Sequence, residues 1–162
     1  MLELLVVIVI VGIIVAIATI SFAPRDQTLE KNADRLRALT LLAADEALMQ
    51  GQEMGLTFFP GGYEFAVLDP TEGIWVRMTA DEMFYPRQLD ERLEMDLFIE
   101  DQQILLETGE PPAAEDYEPQ IFLLSSGEIT PFSVRFRPAF DNYGVLLEIK
   151  ADGKASVSAD ET

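Results

Sequence analysis

The sequence predicts an α+β protein in which one long N-terminal helix, first transmembrane and then amphipathic, packs on antiparallel β-sheets. Three observations predict this class. An uncharged run precedes residue 24, apolar side chains recur at steps of three and four over residues 28–50, and alternating aromatic-rich segments with Gly and Pro turns follow. The predicted units are an anchor over residues 1–24, an amphipathic continuation of the helix over residues 25–55 and a β-rich globular domain over residues 56–162.

The first segment, Leu4 to Phe22, is predicted to span a membrane. Between Leu4 and Ala23 there is no charge, and only Thr19 and Ser21 are polar. A helix of about 20 residues is roughly 30 Å long, which is the thickness of a hydrocarbon core. Its many β-branched residues disfavour an isolated helix in water, but in lipid a helix satisfies its own backbone hydrogen bonds. The alternative, a buried core helix, rarely needs so long an apolar run.

Glu3 stands directly before this run. A carboxylate inside the apolar layer costs about 2.5–3.5 kcal/mol at the centre and less near the edge, so Glu3 needs a cationic partner or water. The residues alone leave both interpretations open. Glu3 either pairs with a cation or rests among the headgroups without a function.

The second half of the helix is predicted from one apolar face over residues 28–50. That face contains Leu29, Ala33, Leu36, Leu39 or Thr40, Ala43 and Ala47. Gly51 and Gly55 are typical stop signals, and Pro24 predicts a kink where the two halves meet.

The remaining chain is predicted to form antiparallel strands with tight turns. The predicted strands cover residues 56–59, 63–68, 74–78, 93–99, 103–106, 120–124, 129–137, 143–150 and 154–157. The Phe, Tyr and Trp side chains of the first three strands are expected in the core rather than around a ligand. Residues 81–87 are predicted to be an irregular or short helical link, residues 109–119 a flexible loop, and the tail Ser158–Thr162 frayed.

The composition excludes several classes of function. The chain contains no Cys and no His, which excludes disulfides, cysteine-ligated metal and a Ser-His-Asp triad. Its carboxylates form no recognisable ligand motif, so we expect no cofactor and no specific metal site. The net charge of −18 repels phosphates, so no nucleic-acid partner is expected. The mixed charges that follow the span leave its orientation undecided.

The N-terminal residues resemble the signature of type IV pilins and type II secretion pseudopilins. They are Leu2-Glu3-Leu4-Leu5-Val6-Val7-Ile8-Val9-Ile10-Val11-Gly12-Ile13-Ile14. In that family a basic leader ends in glycine, a prepilin peptidase cleaves after it, and the new N-terminal residue is methylated. Leader, glycine and Phe-Thr do not occur here, so either the natural start lies upstream or the sequence was trimmed. The resemblance implies that Glu3 pairs with the N-terminal amine of a neighbouring subunit, and Gly12 would allow close helix approach.

A second resemblance identifies the branch of the family. The segment Ser125-Ser126-Gly127-Glu128-Ile129-Thr130-Pro131-Phe132 is similar to a strand–turn–strand segment of GspH-type minor pseudopilins. Ser126, Gly127, Glu128, Pro131 and Phe132 are therefore candidate interaction residues. The alternative is that they only shape the sheet, with Gly127 in a tight turn and Pro131 at an edge or bulge.

The resemblance implies a pilin-like, non-enzymatic subunit of the type II secretion pseudopilus that takes part in protein export across the outer membrane. It implies one span in the bacterial inner membrane and a periplasmic C-terminal domain. The implied partners are other minor and major pseudopilins, the inner-membrane assembly platform and, with a leader upstream, the prepilin peptidase. Two alternatives stay open. One is a minor type IV pilin similar to FimT, and the other is a membrane-anchored periplasmic hydrolase limited to Ser/Lys or paired-carboxylate chemistry.

Overall fold

A computed structural model describes residues 25–106, 117–141 and 143–161, together with Val7. The predicted span, Glu3, Gly12 and the predicted kink at Pro24 lie outside the described residues. Within the described part of the chain, no helix is both long enough and apolar enough to cross a membrane.

Helix α1 covers Arg25–Gln50 and presents one buried stripe, as predicted. The buried members are Leu29, Ala33, Leu36, Leu39, Thr40, Ala43 and Ala47. The helix ends at the predicted Gly51, which has a φ of 64°. The Gln52 N–H donates to the Ala47 carbonyl at 3.1 Å and satisfies one carbonyl of the last turn.

In the described residues, ten strands follow the helix and form two antiparallel sheets. They are β1 (Met54–Phe59), β2 (Gly62–Asp69), β3 (Ile74–Arg77), β4 (Arg87–Gln88), β5 (Leu93–Ile99), β6 (Gln102–Ile104), β7 (Ile121–Leu123), β8 (Phe132–Pro138), β9 (Tyr143–Ile149) and β10 (Ala155–Glu161). Sheet 1 has the order β3-β2-β1-β7, with β4 paired to β2, and sheet 2 has the order β10-β9-β8-β5-β6. The predicted class, a helix on antiparallel sheets, is confirmed.

The core lies between α1 and the two sheets. Helix α1 packs against β8, β9 and β10 of sheet 2 and against β1 and β7 of sheet 1. The ring of Phe58 in β1 lies 5.7 Å from that of Phe132 in β8, so aromatic packing joins the sheets. Phe58, Tyr63 and Phe65 are buried, as expected for core aromatics, whereas Phe59 and Trp75 are only half-buried, and Trp75 packs on Phe122 outside the core.

Two stretches differ from the sequence prediction. The tail was predicted to fray, but β10 pairs with β9 along its whole length, up to Glu161 opposite Tyr143. Its Ala155 and Val157 pack on the core, and this alternation holds the polar tail in the sheet. The last residues of the predicted flexible loop are also ordered, since Tyr117 is only 4% exposed. Residues 109–116 of that loop lie outside the described residues.

The helix gives the domain two ends. Thr28 and Leu29, near its start, line a groove together with the β8–β9 turn, and we call this the proximal end. Leu48, near its end, lies 4.0 Å from the position a Cβ would take on Gly127, and we call this the distal end. The distance along the helix from Arg25 to Met49 is about 36 Å.

Gly55 allows a close approach between β1 and the segment that precedes β7. A Cβ at Gly55 would lie 2.3 Å from Cγ and 2.5 Å from Cβ of Pro119. We expect Gly55→Ala to lower the free energy of unfolding by about 1–3 kcal/mol, the usual cost of overpacking. Urea denaturation of the chain lacking residues 1–23 measures this. In a Pro119→Gly background both ring atoms are absent, so an equal loss there would contradict the explanation.

Candidate interaction surface

The predicted turn between β7 and β8 forms the distal end of the domain. The Leu124 N–H donates to the Glu128 carbonyl and the Gly127 N–H donates to the Leu124 carbonyl, both at 2.8 Å. Gly127 has a φ of 89°, a conformation that favours glycine. Leu123 and Ile129 form an isolated bridge on either side of the turn. The resulting turn is tight and has a fixed shape.

Glu53, in the link between α1 and β1, holds this turn against the end of the helix. Ser125 donates to it twice, from the backbone N–H to Oε2 at 2.9 Å and from Oγ to Oε1 at 2.7 Å. The sequence analysis did not single out Glu53. No local pattern identifies it, because 72 residues separate the two partners.

The turn and the helix end together form an exposed surface. Ser126, Gly127 and Glu128 are exposed. Beside the turn on α1, Leu48 is 54% exposed, and Met49, the next residue of the helix, is 83% exposed. We call these five residues the distal surface. Apolar side chains grouped in this way on a soluble domain are typical of interaction sites.

The last two candidate residues of the segment lie apart from the distal surface. Pro131 is exposed and stands directly before β8, between the bridge residue Ile129 and the first strand residue. Phe132 is 3% exposed and packs on Phe58. Its side chain therefore belongs to the core, and a partner would meet the residues around it.

A second polar cluster lies on the face of sheet 1 that points away from the core. Arg77 in β3 makes a bidentate pair with Glu64 in β2, at 2.7 Å from Nε to Oε1 and 2.6 Å from Nη2 to Oε2. Glu64 is 2% exposed. The pKa of Arg77 is raised, chiefly by its hydrogen bond to Glu64. The bidentate geometry and the burial of Glu64 suit a structural role for this pair.

Residues 117–120, which we call the strap, cover this ion pair. The Tyr117 ring lies 5.7 Å from the Arg77 guanidinium, and its hydroxyl donates to Thr57 Oγ1 at 2.8 Å. The side-chain amide of Gln120 pairs with the backbone of β1 in the way that a neighbouring strand would. Its Oε1 accepts from the Phe58 N–H at 2.7 Å, and its Nε2 donates to the Phe58 carbonyl at 3.2 Å.

The other carboxylates of the described residues offer little for catalysis or metal binding. On the outer face of sheet 2, Arg137 binds Glu94 at 2.5 Å and Asp96 at 2.9 Å. Within the described ranges, no group of three or more Asp and Glu residues could hold a metal ion.

The buried tyrosines predict a loss of stability in alkali. Burial raises the pKa of Tyr63 and that of Tyr117 to about 12, from 10.0. Between these values the unfolded chain releases protons that the folded chain keeps. The stability that the two buried tyrosines contribute is therefore fully present below pH 10. Between pH 10 and about pH 12 it falls by about 1.4 kcal/mol per pH unit for each tyrosine.

Urea denaturation at a series of alkaline pH values measures this loss. The Tyr117→Phe variant keeps only one of the two buried phenols, so its slope against pH should be clearly smaller than that of the wild type. An unchanged slope would show that Tyr117 does not contribute.

The comparisons with known proteins agree on one family. A family model described as type II transport protein GspH matches residues 32–153. The type II secretion system protein H of Pseudomonas aeruginosa is 29% identical over 158 residues, 94% of this chain and 89% of the relative. The protein of the same name from Klebsiella michiganensis is 26% identical and covers 98% of this chain and 93% of the relative.

Solved structures share the fold. The minor pseudopilin EpsH from the type II secretion system of Vibrio cholerae has a TM-score of 0.62 at 27% identity, covering 81% of this chain and 96% of that chain. The solution structure of Escherichia coli GspH has a TM-score of 0.59 at 23% identity, covering 85% of this chain and 93% of that chain. At this identity the second likeness concerns the fold alone.

Proposed function

The chain belongs to the GspH family of type II transport proteins, and from that membership we propose that it is a minor pseudopilin, a structural subunit of the type II secretion pseudopilus. The observation that carries this function is the family match over residues 32–153, which includes most of α1 and every described strand except β10. The relatives named type II secretion system protein H support it. The match favours the secretion branch over a minor type IV pilin.

We further propose that residues 1–24 anchor the chain in the inner membrane and that residues 56–162 face the periplasm. The uncharged run that ends at Ala23 supports the anchor, because it matches the hydrocarbon thickness of a bilayer. Glu3 and Gly12 would then serve the packing of neighbouring spans. The inner-membrane assembly platform and a prepilin peptidase are the other proposed partners at this end.

The distal surface is our proposed contact to other minor and major pseudopilins. Leu48 lies beside a turn of fixed shape at the end of the domain opposite the proposed anchor, and Met49, the next residue of α1, is also exposed. This position suits a neighbour that sits further along a filament. The few exposed charges nearby, such as Glu128, would form the rim of such a contact.

Loss of secretion in a strain that lacks the gene, restored by the wild-type chain, tests the function itself. The distal surface is tested by Met49→Asp. Because Met49 is 83% exposed, the change should alter the free energy of unfolding by less than about 0.5 kcal/mol. We expect it to reduce co-purification with the other pseudopilins and to reduce secretion.

Leu105→Asp is the matched control for this substitution. Leu105 is 90% exposed, and the change adds the same charge away from the distal surface. Association should therefore remain at the wild-type level. Equal association of both variants would contradict the distal contact and leave the family function in place.

We also propose that the chain is not an enzyme. The family is a structural one, and the absence of His and Cys leaves only carboxylate or Ser/Lys chemistry. The described carboxylates that lie close to arginines are held in ion pairs, as Glu64, Glu94 and Asp96 are. This arrangement disfavours the hydrolase alternative.

A further inference from the structure

Phe140 occupies an unusual position at the proximal end. It lies in the β8–β9 turn, and its side chain is 100% exposed. The turn borders a groove of about 480 Å³ whose apolar lining includes Leu29, Leu93 and Pro138. Single exposed apolar residues are common on protein surfaces, so exposure alone does not indicate a role for Phe140. Its position in the fold has to decide this.

The location follows from the path of the chain. The uncharged run ends at Ala23, and α1 begins at Arg25. Leu29 lies six residues beyond the run, which is at most about 20 Å even along an extended chain. Because Leu29 and Phe140 line the same groove, the exposed ring lies close to the point where the proposed anchor enters the domain.

We propose that Phe140 inserts into the headgroup region of the bilayer that holds the anchor and so fixes the tilt of the domain on the membrane. The inference rests on the proposed anchor. Phe, like Trp and Leu, occurs on the apolar face of segments that lie in the membrane interface. The anchor makes the insertion an intramolecular event, so a contact too weak to recruit a free domain is populated in the tethered one.

The charges around the ring favour an apolar contact over an electrostatic one. On the rim of the groove, Arg92 pairs with Asp90 at 2.9 Å, and Asp141 is exposed next to Phe140. The charged residues described around the groove, Asp90, Arg92 and Asp141, therefore provide no excess of positive charge to attract anionic headgroups. The contact should therefore occur equally in zwitterionic and anionic bilayers and should persist in high salt.

Tryptophan fluorescence of the full chain in proteoliposomes tests the proposal. Trp75 is the only tryptophan of the sequence, so the wild type provides the background signal. Two variants each add one tryptophan at an exposed position, Phe140→Trp at the proximal end and Met49→Trp at the distal end. The vesicles contain phosphatidylethanolamine and phosphatidylglycerol, with or without phosphatidylcholine brominated near the start of its acyl chains as a quencher.

We expect the tryptophan added by Phe140→Trp to emit at shorter wavelength than that added by Met49→Trp and to lose fluorescence with the brominated lipid. Equal behaviour of the two variants would overturn the proposal. So would a blue shift that occurs only when other pseudopilins are present, because it would place a protein at this position.

Alkaline carbonate extraction tests the proposed anchor separately from the lipid contact of Phe140. Protein that stays in the membrane with an unquenched Phe140→Trp overturns the lipid contact alone, whereas protein that washes off overturns the anchor as well.

Discussion

Arg77→Leu is expected to lower the free energy of unfolding by about 3–5 kcal/mol, because it leaves a buried carboxylate without its partner. Glu64 is 2% exposed and is bound by both guanidinium donors of Arg77. Tyr117 packs over the guanidinium and covers part of the pair, in which Arg77 keeps 31% of its side chain exposed and Glu64 only 3%. A loss of this size is a large fraction of the stability of an ordinary domain.

Two further variants distinguish the effect of burying an ion pair from the effect of pairing two charges. Arg92→Leu breaks the exposed Asp90–Arg92 pair, whose side chains are 45% and 87% exposed, and should cost no more than about 1 kcal/mol. The double variant Glu64→Leu with Arg77→Leu removes both charges and should recover much of the loss, since apolar pairs often replace buried ion pairs well. Urea denaturation measures all of these. If Arg77→Leu cost no more than Arg92→Leu, the pair would not be a buried one.

The ion pair also decides where the loop before β7 is attached. Tyr117 lies on a polar surface that is formed by Thr57, Glu64 and Arg77. Loss of Arg77 therefore removes the ring's cationic neighbour as well as the carboxylate's partner. We expect the strap to detach at lower denaturant than the rest of sheet 1 in that variant.

Local periodicity allowed much of the fold to be predicted. The face of α1 that contains Leu29, Leu36 and Ala43 is buried as its spacing predicts. A helical face depends only on residues within a few turns, so the sequence contains all of the information needed. The hairpin of β1 and β2 was predictable for the same reason, because its turn at Gly61 is adjacent to both strands.

Contacts between distant segments could not be predicted. Gln120 pairs with the backbone of Phe58, and Glu53 binds Ser125, across 62 and 72 residues respectively. Which strands become neighbours depends on packing of the whole chain, and no short pattern records it. The C-terminal tail was predicted wrongly for a different reason, because here the local pattern was present in the sequence. Its polar Ser and Asp residues suggested fraying, although the small apolar residues between them have the period of a strand.

The role of the candidate interaction residues stays a prediction, and the structure shows only which of them are exposed. The resemblance identified residues 126–128, which are exposed, together with Phe132, which is buried. The alternation of Phe132, Val134 and Phe136 with polar neighbours was visible in the sequence and indicates an inward-facing set. Leu48 and Met49 were not predicted, because a helical pattern shows which face is buried but not which turn lies beside its end.

Glu3→Ala is expected to abolish most association with partner pseudopilins without preventing membrane insertion. Removal of a charge from the start of the span only eases insertion. If the amine of a neighbour is the partner of Glu3, the low dielectric strengthens that attraction, and loss of one member costs about 3–5 kcal/mol. Each 1.4 kcal/mol corresponds to about a tenfold change in affinity, so association should fall by roughly two orders of magnitude or more.

Crosslinking and co-purification in full-length, membrane-inserted protein, expressed with a prepilin leader, measure this effect together with secretion. Glu3→Asp keeps the carboxylate on a side chain that is one methylene shorter, so its association should lie between those of the wild type and Glu3→Ala. The distal surface could hold the subunit in place and mask the loss, so the measurement is repeated with Glu3→Ala and Met49→Asp combined. If Glu3 is an assembly contact, the combined variant should associate less than either single variant. If the combined variant behaved like Met49→Asp alone, the carboxylate would be resting among the headgroups, and assembly would depend on the periplasmic domain.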